Sequence, residues 1–184
     1  DTIRSGSGSD TIVIRSGSGG DTLAAADIVT DFTDGSDVIG LDDGLQYTDL
    51  TIAQGTGSNS SDTIISAGSE YLAILTGINV SDINYFDFAS MATGNQSFTG
   101  TTGDDVFIGA AGVDTITTNT GTDIVLASSG NDAITIDGVG NKTIDGGTGT
   151  NTLSINYSGL TGLSNFVICL LYTSDAADEG LGVD

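Results

Sequence analysis

Histidine, tryptophan and proline are absent from this 184-residue chain, cysteine and methionine occur once each, and only Arg4, Arg15 and Lys142 are basic. Without histidine there is no Ser-His-Asp or Cys-His arrangement and no imidazole-bound zinc. Three cations against 25 acids, a formal charge of −22, cannot line a phosphate backbone, so nucleic acid is excluded as a partner. The same balance argues against an anionic membrane surface. The longest apolar run, residues 166–172, has seven residues, far short of the roughly 20 of a spanning helix, so no membrane insertion is expected. Five Tyr and six Phe are the only aromatics, which points to a thin, aliphatic core.

The acids are uneven: 23 are Asp, and only Glu70 and Glu179 are Glu. A merely solvated acidic surface would use both. Preference for the shorter carboxylate suggests Asp held in tight loops, binding a hard cation or capping a turn. The spacing supports this. Asp105, Asp114, Asp123 and Asp132 fall nine residues apart, each with glycine two before it (Gly103, Gly112, Gly121, Gly130) and an apolar side chain two after it (Phe107, Ile116, Val125, Ile134). The pattern then stretches by one residue and places Lys142 at the Asp position, followed by GGTGTNTL at 146–153 with Asn151 in place of Asp. Near the start, SGSGSDTI at 5–12 and SGSGGDTL at 16–23 carry the same signature, with Gly8 and Asp10, then Gly19 and Asp21.

A glycine-rich half can adopt the φ > 0 geometry of a tight turn, and an Asp-x-apolar half makes a short strand with one inward side chain. Two units make one coil of turn, strand, turn, strand. Stacked coils give two parallel sheets with Phe107, Ile116, Val125, Ile134, Ile144 and Leu153 inside. Loops 18 residues apart then lie over one another, Asp105 on Asp123 along one edge and Asp114 on Asp132 along the other. Carboxylates stacked this closely repel unless a cation lies between them. Two Asp plus converging loop carbonyls supply hard oxygen ligands that suit Ca²⁺.

These units resemble the nonapeptide G-G-x-G-x-D-x-U-x of RTX (repeats-in-toxin, haemolysin-type calcium-binding) proteins, a parallel β-roll repeat. The resemblance covers residues 1–41 and about 100–154. Departures occur at Asn119 and Ser128, which replace glycines, and at Lys142 and Asn151. Good Ca²⁺ sites are therefore expected at Asp105/Asp123 and Asp114/Asp132, and poor or empty ones at Lys142 and Asn151. The stretch DIVTDFTDGSDVIGL at 27–41 resembles the signature that closes such rolls in serralysin-like proteases. It makes Asp37 a last ligand position, with Asp31 and Asp34 weaker candidates. The family implies calcium-dependent folding after type I secretion, an extracellular or cell-surface location, and the remaining domains of a parent protein as partners.

The expected fold is all-β: a truncated N-terminal roll at 1–41, an antiparallel cap at 42–95, a second roll at 96–156 and the end of the native chain at 157–168. Residues 169–184 break the rhythm. CLLYTSDAADE at 169–179 and GVD at 182–184 resemble the translation of a sequencing-library adapter and are set aside, which takes four acids away and the charge to −18. The chain opens in mid-pattern and reads as a fragment. No arginine or aromatic wall marks a sugar cleft, and the repeated Asp have a metal to bind, so the segment reads as non-enzymatic. On the second roll Val106, Ile108, Ile124 and Leu126 are expected outward on one sheet, and Thr115, Thr117, Thr135, Thr152 and Ser154 on the other. The hydroxyl rows are similar to those of β-solenoid ice-binding proteins. That leaves a calcium-dependent adhesin or ice-binding segment, with an unknown cell-surface or glycan ligand, as the alternative reading.

Overall fold

A computed structural model describes residues 1–156 and the backbone of a short strand at Cys169–Leu170. The expected end of the native chain at 157–168 and the rest of the tail lie outside the described residues. The chain divides into two compact units, Asp1–Ala92 and Thr93–Asp184. Among the described residues there is no α-helix, only strands and single turns of 3₁₀ helix.

The first unit holds β1 (Thr2–Ile3), β2 (Thr11–Arg15), β3 (Asp27–Val29), β4 (Val38–Asp42), β5 (Leu50–Gln54), β6 (Thr63–Ala67), β7 (Glu70–Leu75) and β8 (Phe88–Ser90). Of these, β2-β4-β8 form one parallel sheet. The other is ordered β1-β3-β7-β6-β5, parallel from β1 to β7 and antiparallel from β7 to β5. The antiparallel strands thus continue a roll sheet through β7. The coil is longer than a nine-residue repeat predicts: Thr2 pairs with Ile28 and Thr11 with Val38. The extra length lies in the 16–26 loop, whose 3₁₀ turn spans Leu23–Ala25. Glu70 ties this loop down by accepting the N–H groups of Gly17 (3.0 Å) and Gly19 (2.7 Å).

The second unit follows the nine-residue clock. Its strands are β9 (Ser97–Thr99), β10 (Val106–Ile108), β11 (Thr115–Thr117), β12 (Asp123–Leu126), β13 (Ala133–Asp137), β14 (Lys142–Asp145), β15 (Thr152–Asn156) and β16 (Cys169–Leu170). Successive strands alternate between two sheets, ordered β10-β12-β14-β16 and β15-β13-β11-β9, with every pairing parallel. One row runs Phe107, Val125, Ile144 and the facing row Phe98, Ile116, Ile134, Leu153. Phe107, Ile116, Val125, Ala127, Ile134, Ile136 and Ile144 form the buried cluster, with Phe98, Leu153 and Ile155 packed on it. The inward row expected from the sequence is this core. The added residue in the 137–141 loop changes the step, so that Asp123 pairs with Lys142. The outward faces are less uniform. Ile108, expected outward, is buried, and Thr117 and Thr135 are half-buried, whereas Thr115, Thr152 and Ser154 are exposed.

Two positions show how tightly the loops are specified. Gly130 has φ +140°, and a Cβ there would run into the carbonyl oxygen of Gly112 one coil below. Buried Asp62 holds the base of the β6–β7 hairpin, accepting from Gly77 N–H (2.9 Å), Asn59 Nδ2 (3.0 Å) and Ser61 Oγ (3.2 Å). The Gly77 amide does most to hold its carboxyl below the ordinary value, against the opposing effect of burial.

Gly130→Ala is expected to destabilise the second unit by about 1–3 kcal/mol or more. Gly94→Ala, where the added Cβ meets open space, should stay within about 0.5 kcal/mol; thermal melts of the two variants check this. Asp62→Ala should cost about 1–3 kcal/mol at neutral pH by leaving donors unpaired. Because the folded-state pKa is depressed, that stabilisation is fully present above the unfolded value and disappears as pH falls through the folded one. Urea melts should therefore show the gap between wild type and Asp62→Ala closing below about pH 4.

Candidate metal centre

Each stacked Asp pair is joined by one repeated hydrogen bond. The backbone N–H of the Asp in one coil donates to Oδ1 of the Asp in the next: Asp10 to Asp37 (3.1 Å), Asp105 to Asp123 (3.0 Å) and Asp114 to Asp132 (2.9 Å). The ladder continues upward as Asp132 N–H to Asn151 Oδ1 (2.9 Å) and downward as Gln96 N–H to Asp114 Oδ1 (2.6 Å). Asp105/Asp123 and Asp114/Asp132, paired from spacing alone, do lie one over the other.

Loop conformation decides what happens to the second oxygen. In three loops the residue four before the Asp donates its N–H to Oδ2: Thr33 to Asp37 (2.8 Å), Thr101 to Asp105 (2.8 Å) and Ala110 to Asp114 (2.7 Å). In three others that residue is left-handed: Gly6 (φ 104°), Asn119 (59°) and Ser128 (71°). Its N–H then turns away, and Oδ2 of Asp10, Asp123 and Asp132 is buried with no hydrogen-bond partner. Gly8, Gly121 and Gly130, two before those same Asp, are left-handed as well. Asn119 and Ser128, departures from the repeat by residue type, keep the conformation of the glycines they replace. Side-chain bonds to the coil below hold them there, Asn119 Nδ2 to Gly100 O (2.6 Å) and Ser128 Oγ to Gly109 O (3.0 Å). Gly103 and Gly112 take no left-handed φ.

Counter-charge is scarce. Arg4 faces Asp31 (3.6 Å), Arg15 faces Asp42 (3.0 Å), and Lys142 Nζ lies 2.8 Å from Asp123 Oδ2. These are all the basic side chains of the chain. The Lys142 contact is an ion pair without hydrogen-bond alignment, between side chains 3% and 0% exposed. Its Nζ also donates to Gly121 O (2.7 Å) and Val139 O (3.4 Å). Burial pushes the Asp123 carboxyl up, while the Lys142 ammonium and the Asp105 N–H act to lower it. Asp132, 1% exposed, is also pushed up by burial; the Asp114 carboxylate adds to this, and only the Asp114 N–H opposes it.

Lys142 Nζ thus lies among Gly121 O, Val139 O and Asp123 Oδ2. Nine residues on, the matching acceptors are Gly130 O, Thr148 O and Asp132 Oδ2. The frame repeats too, with Gly121 N–H on Val139 O and Gly130 N–H on Thr148 O, both 3.0 Å. Among the described residues no three acidic, cysteine or histidine side chains converge as a metal cluster. An ion here would therefore rest on carboxylate and backbone carbonyl oxygens, which fits Ca²⁺ and not a softer metal. The orphaned, buried Asp132 oxygen is the feature that fits this charge.

Three expectations change. Asp21 is exposed in the long 16–26 loop, and the first strand is carried on by Asp27, whose Oδ1 accepts the Asp1 amino terminus (2.7 Å). Gly19 binds Glu70 and so serves that loop. At Asp105/Asp123 the free Asp123 oxygen already faces a lysine, so this pair differs from Asp114/Asp132. Nothing in the sequence singles out Glu70, because its neighbours carry no repeat signature. Asp31 accepts from Ser5 N–H and Gly6 N–H (3.0 Å each).

The description "RTX calcium-binding nonapeptide repeat (4 copies)" matches residues 1–27 and 94–134, the segments that hold Asp10, Asp105, Asp114, Asp123 and Asp132. No curated protein matches the chain. Repeats of this kind are structural and bind Ca²⁺. Four such repeats lie in its parallel coils, so over these segments the chain carries RTX-type calcium-binding repeats.

Proposed function

We propose that this chain is a calcium-responsive structural module of a larger secreted protein, exported by a type I route and folded by the Ca²⁺ it meets outside the cell. The observation that carries the reading is the buried Asp132 Oδ2, which has neither a donor nor a basic side chain to face. Asp132, with the carbonyls of Gly130 and Thr148, would hold one ion, and Asp10 in the Gly6–Gly8 loop is the equivalent position of the first unit. Asp114, Asp105 and Asp37 support the ladder through their N–H groups or carboxylates. A bound ion supplies positive charge between coils of a chain carrying −22, and that self-repulsion otherwise favours an expanded state. Extracellular-type modules bind with Kd around 10⁻⁴–10⁻³ M. Calcium at about tenfold above Kd adds roughly 1.4 kcal/mol per site by mass action, so a few sites decide whether the coils close.

In this reading the module does no catalysis of its own: its ladder Asp are taken up by loop amides, by Lys142 or by the proposed ion, and any chemistry belongs to other domains of the parent protein. Among the described residues no helix is long and apolar enough to cross a membrane. The outward row Thr115–Ala133–Thr152 is broken at Ala133, so the structural role is preferred to an adhesive or ice-binding hydroxyl face.

Circular dichroism during a Ca²⁺ titration should show β signal growing from chelator to millimolar Ca²⁺, with Mg²⁺ far less effective. A full β signal in chelator, unchanged by Ca²⁺, would sink calcium-coupled folding. Asp132→Asn keeps an acceptor for Asp114 N–H and removes the charge. It is expected to weaken one Ca²⁺ site at least tenfold in isothermal titration calorimetry.

A further inference from the structure

We propose that Lys142 is a tethered substitute for a metal ion, an ammonium that the chain places where its repeat otherwise calls for Ca²⁺. The loop holding Lys142 keeps both left-handed positions of the metal-type loops, Gly138 (φ 83°) and Gly140 (φ 121°), four and two residues before it. The backbone is thus built as though an Asp stood at 142, and Lys142 pairs in register with Asp123. Its side chain does not run out to solvent. It folds back so that Nζ meets Gly121 O at 2.7 Å, Asp123 Oδ2 at 2.8 Å and Val139 O at 3.4 Å. One carboxylate and two loop carbonyls are hard oxygen donors of the kind a calcium ion takes.

The charges also balance. Two Asp and one Ca²⁺ sum to zero, and so do one Asp and one ammonium. Exchanging Asp for Lys at 142 therefore removes the need for the ion without leaving Asp123 as an uncompensated buried charge, which would be costly. The two edges of the second unit then differ. The edge through Asp123 and Lys142 is closed by the chain itself, independent of external calcium. The edge through Asp132 and Asn151 has no such cation. The coil step at 123–142 is a metal-independent clasp inside a calcium-binding roll. This inference rests on the calcium reading only for the identity of the ion replaced.

The test compares the full chain with Lys142→Asp and Lys142→Met by equilibrium dialysis against Ca²⁺ and by thermal melts in Ca²⁺ and in chelator. Lys142→Asp should bind one more Ca²⁺ per chain than wild type, and its melting temperature should rise more on adding Ca²⁺. Lys142→Met should bind the same number as wild type and melt several degrees lower in Ca²⁺. An unchanged ion count in Lys142→Asp, or a Lys142→Met variant that melts like wild type, overturns the proposal. If Lys142→Met does not fold, Lys142→Asp alone decides: refolding with Ca²⁺ supports the substitution, and failure to refold refutes it. A wild-type chain that binds no Ca²⁺ would defeat the calcium-folding reading above, yet an ion gained by Lys142→Asp would still stand for this one.

Discussion

The stacked coils of each unit depend on how a buried aspartate is neutralised between one coil and the next. The coils meet through parallel strands, and such strands run about 4.8 Å apart. At each loop edge a carboxylate is brought in with the strand beside it. One of its oxygens takes the N–H of the Asp below, a bond made the same way at Asp37, Asp123 and Asp132. That bond fixes the register but leaves most of the charge unanswered. The second oxygen then has three outcomes: a loop amide at Asp37, Asp105 and Asp114, an ammonium at Asp123, or nothing from the chain at Asp10 and Asp132. The calcium site proposed for this chain is that third outcome.

Much of this was legible because the period of nine is also the geometry. Once Gly-x-Asp-x-apolar recurs without a slip, alternate strands must fall into opposite sheets, and Ile116, Val125, Ile134 and Ile144 must point inward. The pairings Asp105 with Asp123 and Asp114 with Asp132 follow from the same count. What the count cannot carry is anything set by a contact outside the period. The first unit departs from it because Glu70, some 50 residues away in the chain, holds the Gly17 and Gly19 amides and stabilises a loop that the repeat does not specify. Asp21 then falls in a longer connection, although its local sequence matches the repeat as well as Asp10 does.

Lys142 and Asn119 illustrate the opposite limit, where a residue type misleads and the backbone does not. A lysine at a ligand position reads as a site lost. In the fold it becomes the counter-ion, because a long flexible stem lets the ammonium return to the carboxylate of the coil below. Asn119 and Ser128 read as lost glycines, yet φ of 59° and 71° keeps the turn, with the side-chain amide and hydroxyl anchored one coil down. Conformation and charge are what the repeat preserves, and more than one residue type can supply either.

The same constraint accounts for the imbalance between aspartate and glutamate. A carboxylate one methylene from the backbone reaches the neighbouring coil's N–H and little further, so its second oxygen stays inside the loop, where it closes a turn or meets a cation. An added methylene would carry the group past the loop carbonyls toward solvent and cost more rotamer entropy to order. Glu70 is used where reach is needed, across a wide loop to two glycine amides at once. At Asp10, Asp37, Asp105, Asp114, Asp123 and Asp132 the choice of Asp therefore reflects the spacing between coils as much as any demand for negative charge: the coil step sets how long the side chain can be, and burial at that length sets the need for counter-charge.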